Sequence, residues 1–206
     1  MLVACINCFN DMPVIKDCVA SIYEQVARII AVDGKYKDFP GDNQYSTDGT
    51  IEFLAGLGKV ELIFAAGLFE ADKRNIYMDR LNPGDTVLVI DGDEVVDGKI
   101  EELESHSDIG LVYLGEPGRK YKRLATRFFK YRKGLRHNGI HFVLECNGRW
   151  FNNRCHAVNG FKEIKINTFK INHLAGSRSR ARKEKKVIYR QSARARESQF
   201  KIAPYE

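Results

Sequence analysis

No run in this 206-residue chain approaches the ~20 apolar positions that a membrane-spanning helix needs. The opening stretch, MLVACINCFNDMP, lacks a basic leader and reaches Asn7, Asn10 and Asp11 too soon for a signal peptide. Together these absences predict a soluble, cytoplasmic protein. Internal repeats are missing too, and so is any Pro- or Ser-rich linker, so one domain over 1–206 is expected. No G-x-x-x-x-G-K-[ST] loop occurs, which leaves a P-loop NTPase unsupported. Cysteine is sparse: Cys5, Cys8, Cys18, Cys146 and Cys155. Cys5 and Cys8 have C-x-x-C spacing, but a redox pair of the thioredoxin type should open a helix, and Cys5 lies inside a strand pattern. Cys146 and Cys155 are too far apart to supply the second close pair of a zinc knuckle. The cysteines are read as small apolar residues.

What the chain does have is 44% apolar residues, enough for a sizeable core. Its net charge of +6 is uneven. Residues 177–201 hold ten Lys or Arg against two Glu, an excess of +8, which leaves the remainder at about −2. This basic tail suits a phosphate-rich substrate, an anionic membrane surface or nucleic acid.

The order of elements is regular. LVACINCF reads as a buried strand, and Asn10, Asp11 and Pro13 then signal a helix start. Val14, Cys18, Ile22 and Val26, widened by Ile15 and Val19, form a one-sided helical stripe. RIIAV is a second strand ending at Asp33-Gly34, followed by a polar loop with its turn at Pro40-Gly41. Ser46, Thr47 and Asp48 can cap a short helix that stops near Gly58. VELIF is a third strand, EADKRNIYMDRL a helix, and TVLVI a fourth strand stopping at Asp91. Such alternation predicts an α/β fold with a mostly parallel central sheet flanked by helices, whose strands read as continuous apolar runs. In the second half, KRLATRFFKY, IHFVLE, RWFNN and EIKINTFKINH predict a smaller mixed or antiparallel sheet, with turns at Gly134, Asn138-Gly139 and Asn147-Gly148.

Ligands of parallel α/β sheets collect at the carboxyl ends of the strands, where Phe9-Asn10, Asp33 and Asp91 all fall. VLVIDGDEVV sets Asp91, Asp93 and Glu94 directly after a buried run. Clustered carboxylates beside a buried strand are costly, because like charges repel and burial penalises ionisation. A divalent cation removes both problems, and hard oxygens suit Mg²⁺ or Mn²⁺ shared with substrate phosphates. The competing reading is a solvated Asp/Gly turn.

These pieces resemble glycosyltransferase family 2, whose members have a Rossmann-like GT-A fold. A first strand leads into Asn10-Asp11, and Asp33 ends the second strand. Ser46-Thr47-Asp48-Gly49-Thr50 resembles the family's S-x-D-G-T, and Lys73-Arg74-Asn75 its R-N. PGDTVLVIDGDE resembles G-D-x-V-L-x-x-D-x-D-E. The resemblance covers most of the chain and implies a metal-dependent transferase, hexosyltransferase-like, using a nucleoside-diphosphate sugar and Mn²⁺ or Mg²⁺. It makes Phe9, Asp33, Arg74 and Asp91 donor-binding. Asp33 would accept from the base, Arg74 would sit near the base or diphosphate, and Asp91 would hold the ribose or a metal-bound water. Asp91, Asp93 and His173 would form the metal shell, His173 alternatively touching the diphosphate. Plainer readings stand beside these: Asp33-Gly34 as a turn, Arg74 paired with Glu70 at i,i+4, Asp48 as a helix cap, and His173 as a polar strand end. One departure is that Lys35 to Tyr45 intervene before S-x-D-G-T, leaving the register of that loop open.

RLATRFFKYRKGLRHNGIHFVLE resembles one branch of the family, with Arg127, Gly134, Leu135, Arg136, Gly139 and His141 matching and Phe142 where Glu usually follows. An inverting transfer needs a general base at the acceptor hydroxyl, for which Glu145 and His141 compete. The resemblance divides the domain into a nucleotide-sugar half (1–98), an acceptor half (99–176) and the basic tail (177–206). Some tail cations would grip the diphosphate. The acceptor would be a glycan, a lipid-linked group or a protein, and the tail would allow peripheral contact with an anionic membrane. Two other classes remain. A nucleotidyltransferase would show a Gly- and Arg-rich signature after strand one, which CINCFNDMP lacks. A basic nucleic-acid-binding module would leave Asp33, Asp91 and Asp93 without purpose.

Overall fold

The structure is a computed structural model, and it describes residues 1–12, 14–103, 107–115, 123–138, 144–146, 149–151, 161–174, 184, 187–189 and 191–192. The first half alternates as expected: β1 (Leu2–Cys8), α1 (Val14–Ile22), β2 (Arg28–Asp33), α2 (Thr50–Ala55), β3 (Val60–Phe64), α3 (Glu70–Met78) and β4 (Thr86–Asp91). Strands β5 (Glu94–Gly98), β6 (Ile109–Gly115), β7 (Arg123–Lys130), β8 (Leu135–His137), β9 (Leu144–Cys146), β10 (Arg149–Phe151) and β11 (Glu163–His173) follow.

The fold is mixed α/β. One eight-stranded sheet has the order β3-β2-β1-β4-β7-β6-β11-β5, and a separate sheet has the order β10-β9-β8. The first four strands are mutually parallel. Strand β7 then runs antiparallel to both β4 and β6, while β11 is parallel to β6 and antiparallel to β5. Much of the C-terminal half therefore extends the main sheet, and only the antiparallel β8–β10 unit stands apart. No element is expected from the sequence over β5, β6 or β8. β8 has three residues and β5 takes its identity from pairing with β11, whereas IGLVYLG of β6 is a buried apolar run that the sequence does display.

Alternation along β1 explains why both sheet faces need cover. Leu2, Ala4, Ile6 and Cys8 join Ile15, Cys18, Val19 and Ile22 of α1 in one core. Val3 and Cys5 join Tyr77 and Met78 of α3, with Leu135 and Leu144 of the small sheet, in the other. Cys5 and Cys8 thus belong to opposite faces and cannot pair with each other. Burial pushes both thiols well above their ordinary pKa. Helix α1 ends at Ile22, short of the full stripe; Val26 still donates its N–H to Ile22 O and stays in the core.

Candidate active site

The carboxyl ends of β1, β2 and β4 form one edge. Cys8 is level with Asp33, and Asn7 is level with both Val32 and Asp91. Asp33 and Asp91 are two strands apart, roughly 10 Å across the ladder. Buried apolar runs bring the strands here, and polar residues take over where the runs stop.

At the β1–β2 side, Asp33 is fully buried. Its carboxylate accepts the Ser46 N–H at 3.0 Å, the Ser46 hydroxyl, and a weaker contact from Cys8 Sγ at 3.8 Å. Burial raises the Asp33 pKa, and the Ser46 bonds oppose the rise. Residues Lys35 to Tyr45 loop outward, and Lys35 N–H to Gln44 O (2.7 Å) closes the loop, so Ser46 returns to Asp33. This settles the register that the inserted residues leave open in the sequence. Asn10 adopts φ 49°, a conformation Asn tolerates, and its Oδ1 takes the Thr47 N–H at 2.7 Å. Gly49, with φ 94°, is the N-cap of α2 and makes no side-chain cap bond; Asp48 just before it accepts from Thr50 N (3.1 Å) and from Met12 N (2.8 Å), so it ties the start of α2 to the β1 turn. Gly34 has φ 145°, and a Cβ there would fall 2.1 Å from Ala65 O.

Lys73 lies beneath this edge with no exposed surface. Its ammonium donates to Cys8 O (2.9 Å) and Gly34 O (2.6 Å), pinning the ends of β1 and β2 together. Burial lowers its pKa to about 8. The neighbouring Asn75 exchanges two bonds with the His137 main chain, at 2.9 and 2.8 Å, which fastens the small sheet to α3.

At the β4 side the acids meet two buried arginines. Arg74 Nη2 is 2.9 Å from Asp91 Oδ1 and 3.0 Å from Glu70 Oε1. The i,i+4 pairing with Glu70 expected from the sequence is present, but on a buried rather than an exposed side chain, and the same guanidinium also reaches the strand-end acid Asp91. Arg127 Nη2, from β7, is 2.8 Å from Glu94 Oε1 and 3.7 Å from Asp91 Oδ2. Glu94 Oε2 in turn accepts the Asp91 N–H at 2.8 Å, which fixes the turn. Burial pushes the Glu94 carboxyl up to about 7, and the Arg127 guanidinium pulls against that rise. Negative charge can end a buried strand here because guanidinium groups from α3 and β7 meet it.

Asp93 is buried, and its Oδ2 lies 3.2 Å from His173 Nε2 at the end of β11. Leu174 N–H donates to Asp93 O at 2.6 Å, holding the end of β11 against the turn. Gly92 permits the close fit, since a Cβ there would sit 2.8 Å from Asp11 Oδ2. Among the described residues no group of three or more His, Cys, Asp or Glu converges as a metal cage. Asp93 and His173 offer a hard oxygen and an imidazole nitrogen. Two such ligands fit a cation whose remaining positions belong to phosphate oxygens and water.

Other candidate residues are dispersed. Phe9 is buried, edge-on to Phe39 at 5.6 Å. Glu145, half-buried in β9, accepts from Asn138 Nδ2 rather than from the Asp91 cluster. His141 lies outside the described residues. Unforeseen from the sequence is His137, whose Nε2 is 3.2 Å from Tyr77 Oη, itself 3.4 Å from Arg74 Nη1. Burial and the two arginines drive the His137 pKa well down, so the ring is neutral. A partly buried helix face of Val187, Ile188 and Tyr189 is expected from the tail sequence; of the three the structure leaves Val187 and Ile188 exposed and turns in Tyr189, which stacks on Tyr36 at 5.5 Å and 18° and leans on Phe39 at 6.0 Å.

No protein-family model matches the sequence, and no curated protein matches it. Solved structures with a partial likeness include TarS of S. aureus, at 17% identity and TM-score 0.45 over 63% of this chain and 28% of that one. TarS 1–349 gives 17% identity and TM-score 0.46 over 63% of this chain and 46% of that one. TarS 1–349 in complex with UDP-GlcNAc gives 21% and 0.43 over 59% and 37%. In each case less than half of the neighbour's length is covered.

Proposed function

We propose that the chain is a metal-dependent glycosyltransferase that moves a sugar from a nucleoside-diphosphate sugar to a hydroxyl acceptor with inversion. One observation carries the reading: the Asp91–Arg74 pair at the end of β4 adjoins the Asp93–His173 pair in the next turn. Paired acids, a buried guanidinium and an imidazole at the carboxyl edge of a parallel sheet suit an anionic, sugar-bearing ligand. The family resemblance supports the same assignment.

In this reading Asp33 faces the base and Phe9 supplies an aromatic wall. Arg74 lies against the diphosphate, and Asp91 meets the ribose or a metal-bound water. Asp93 and His173 hold Mn²⁺ or Mg²⁺, and that ion would offset the charge that builds on the leaving diphosphate. The acceptor oxygen attacks the anomeric carbon, the bond from that carbon to the diphosphate oxygen breaks, and the hydroxyl proton passes to Glu145 or His141. Tail cations and Arg74 then counter the charge of the departing nucleotide. The acceptor is a glycan, a lipid-linked group or a protein, and the basic tail supports contact with an anionic membrane.

Calorimetry with UDP and with GDP, in Mn²⁺ and in chelator, tests the proposal. Binding of one nucleotide that is at least tenfold tighter with metal is expected. Equal affinity in chelator removes the metal role, and absence of binding to either nucleotide removes the donor.

A further inference from the structure

Asp91 is backed by a line of buried polar side chains that ends in the small sheet. The Asp91 side chain is 25% exposed, whereas the Arg74 side chain behind it is 2% exposed. Arg74 Nη2 is 2.9 Å from Asp91 Oδ1, and Arg74 Nη1 is 3.4 Å from Tyr77 Oη. Tyr77 Oη is in turn 3.2 Å from His137 Nε2. Tyr77 and His137 are both buried. Tyr77 follows Arg74 by three positions on α3, so the two side chains share a helix face. His137 ends β8, and Asn75 grips its main chain through two bonds. Its ring meets Tyr77 edge-on at 5.7 Å and Phe129 at 6.3 Å.

The direction of each bond follows from the groups themselves. A guanidinium donates and never accepts, so the Tyr77 oxygen accepts from Arg74. The Tyr77 hydroxyl proton is then left for His137, whose Nε2 accepts it. The ring of a neutral histidine accepting at Nε2 carries its proton on Nδ1, and this atom is buried without a hydrogen-bond partner. A buried donor left unmade costs stability, and an apolar side chain of similar shape would avoid that cost. The Tyr77–His137 pair is therefore a poor device for stability alone. What it does is hold one arm of the Arg74 fork while the other arm meets Asp91.

We propose that Tyr77 and His137 are positioning residues that act through Arg74 to fix the direction in which the Asp91 carboxylate meets the donor. This rests on the nucleotide-sugar reading and deepens it: the small sheet, which carries His137, becomes a determinant of how the strand-end acid is held. Neither residue touches the ligand. Arg127, 3.7 Å from Asp91 Oδ2, restrains the second carboxylate oxygen from β7, so both oxygens are oriented from the buried side.

The test is a double-mutant cycle of Tyr77→Phe and Asp91→Asn, read by calorimetry with UDP and with GDP in Mn²⁺. Tyr77→Phe keeps the ring and removes only the hydroxyl. It should weaken the preferred nucleotide roughly fivefold in the parent, the worth of one ordinary hydrogen bond. In the Asp91→Asn chain the same change should alter affinity by less than about twofold, because the acid it serves is gone. Weakening by the same factor in both chains overturns the proposal, since Tyr77 would then act through general packing. Unchanged affinity in Tyr77→Phe also overturns it and leaves the donor reading standing. If the parent binds neither nucleotide, the donor reading fails and takes this inference with it.

The same cycle read by urea unfolding needs no ligand. The two substitutions should be non-additive by about threefold or more in the unfolding constant, and additive effects overturn the line of contacts whatever the nucleotide does. Should Tyr77→Phe prove unfolded, His137→Leu removes the acceptor at the far end and takes its place with the same outcomes. The Asn75 bonds go to the His137 main chain and survive that change.

Discussion

Ser46 gives both its main-chain N–H and its hydroxyl to the Asp33 carboxylate, although the two residues stand thirteen positions apart. The bonds keep an acid charged where burial disfavours it. Ser46→Ala removes one donor and pushes the Asp33 pKa further up. The expected cost is about 1–3 kcal/mol at pH 7, the usual penalty for depriving a buried acceptor of its partner. It should shrink as pH falls and the carboxyl takes a proton. Urea unfolding across an acidic pH series measures this, and a cost independent of pH would contradict the account.

Arg127 is the larger commitment. It brings a guanidinium from β7 onto Glu94, and it also approaches Asp91. Arg127→Ala leaves a buried acid uncompensated and should cost about 3–5 kcal/mol. Arg127→Lys should recover little, because one compact ammonium cannot reproduce the planar fork that reaches two carboxylates and Val89 O. Denaturation midpoints of the three chains decide this. A mild loss in Arg127→Ala would mean that the pair contributes little to folding.

Lys73 predicts a pH effect. Its folded pKa of about 8 is below the ordinary 10.5, so the folded protein binds fewer protons than the unfolded chain between those values. The contribution of this group is therefore present above pH 10.5 and is lost as pH falls through about 8. Lys73→Met removes that slope and leaves Cys8 O and Gly34 O without the ammonium. The stability difference between parent and variant, followed from pH 8 to 10.5, should change in favour of the parent as pH rises. A difference that stays flat would place the Lys73 pKa elsewhere.

Asp93 tests the chemistry. Asp93→Ala should abolish release of nucleotide from a panel of nucleoside-diphosphate sugars while the circular dichroism spectrum is kept, and chelation of the parent should do the same. Turnover at the parent rate in Asp93→Ala would take this residue out of the mechanism.

Much of this architecture is written locally. Apolar runs such as Leu2–Cys8 and Thr86–Asp91 are buried on both faces of a parallel sheet, and a run of that kind is visible without knowing its partners. The acids of DGDE mark the end of β4, whereas the cap of α2 is Gly49 and Asp48 only braces the first helical residue from outside. Strand β5 is harder to see, since EVVDG holds two adjacent valines and gains its identity from pairing with β11 far along the chain.

The amino-acid order by itself determined where strands stop and which charged residues stand at their ends, because burial and capping act over a few neighbouring positions. Only the tertiary structure decided what those charges meet: Arg127 on Glu94, His173 on Asp93, Ser46 on Asp33, Tyr189 on Tyr36. Each pairing closes a loop of many residues. Its geometry is set by the register of strands and the packing of α3, which no local pattern encodes.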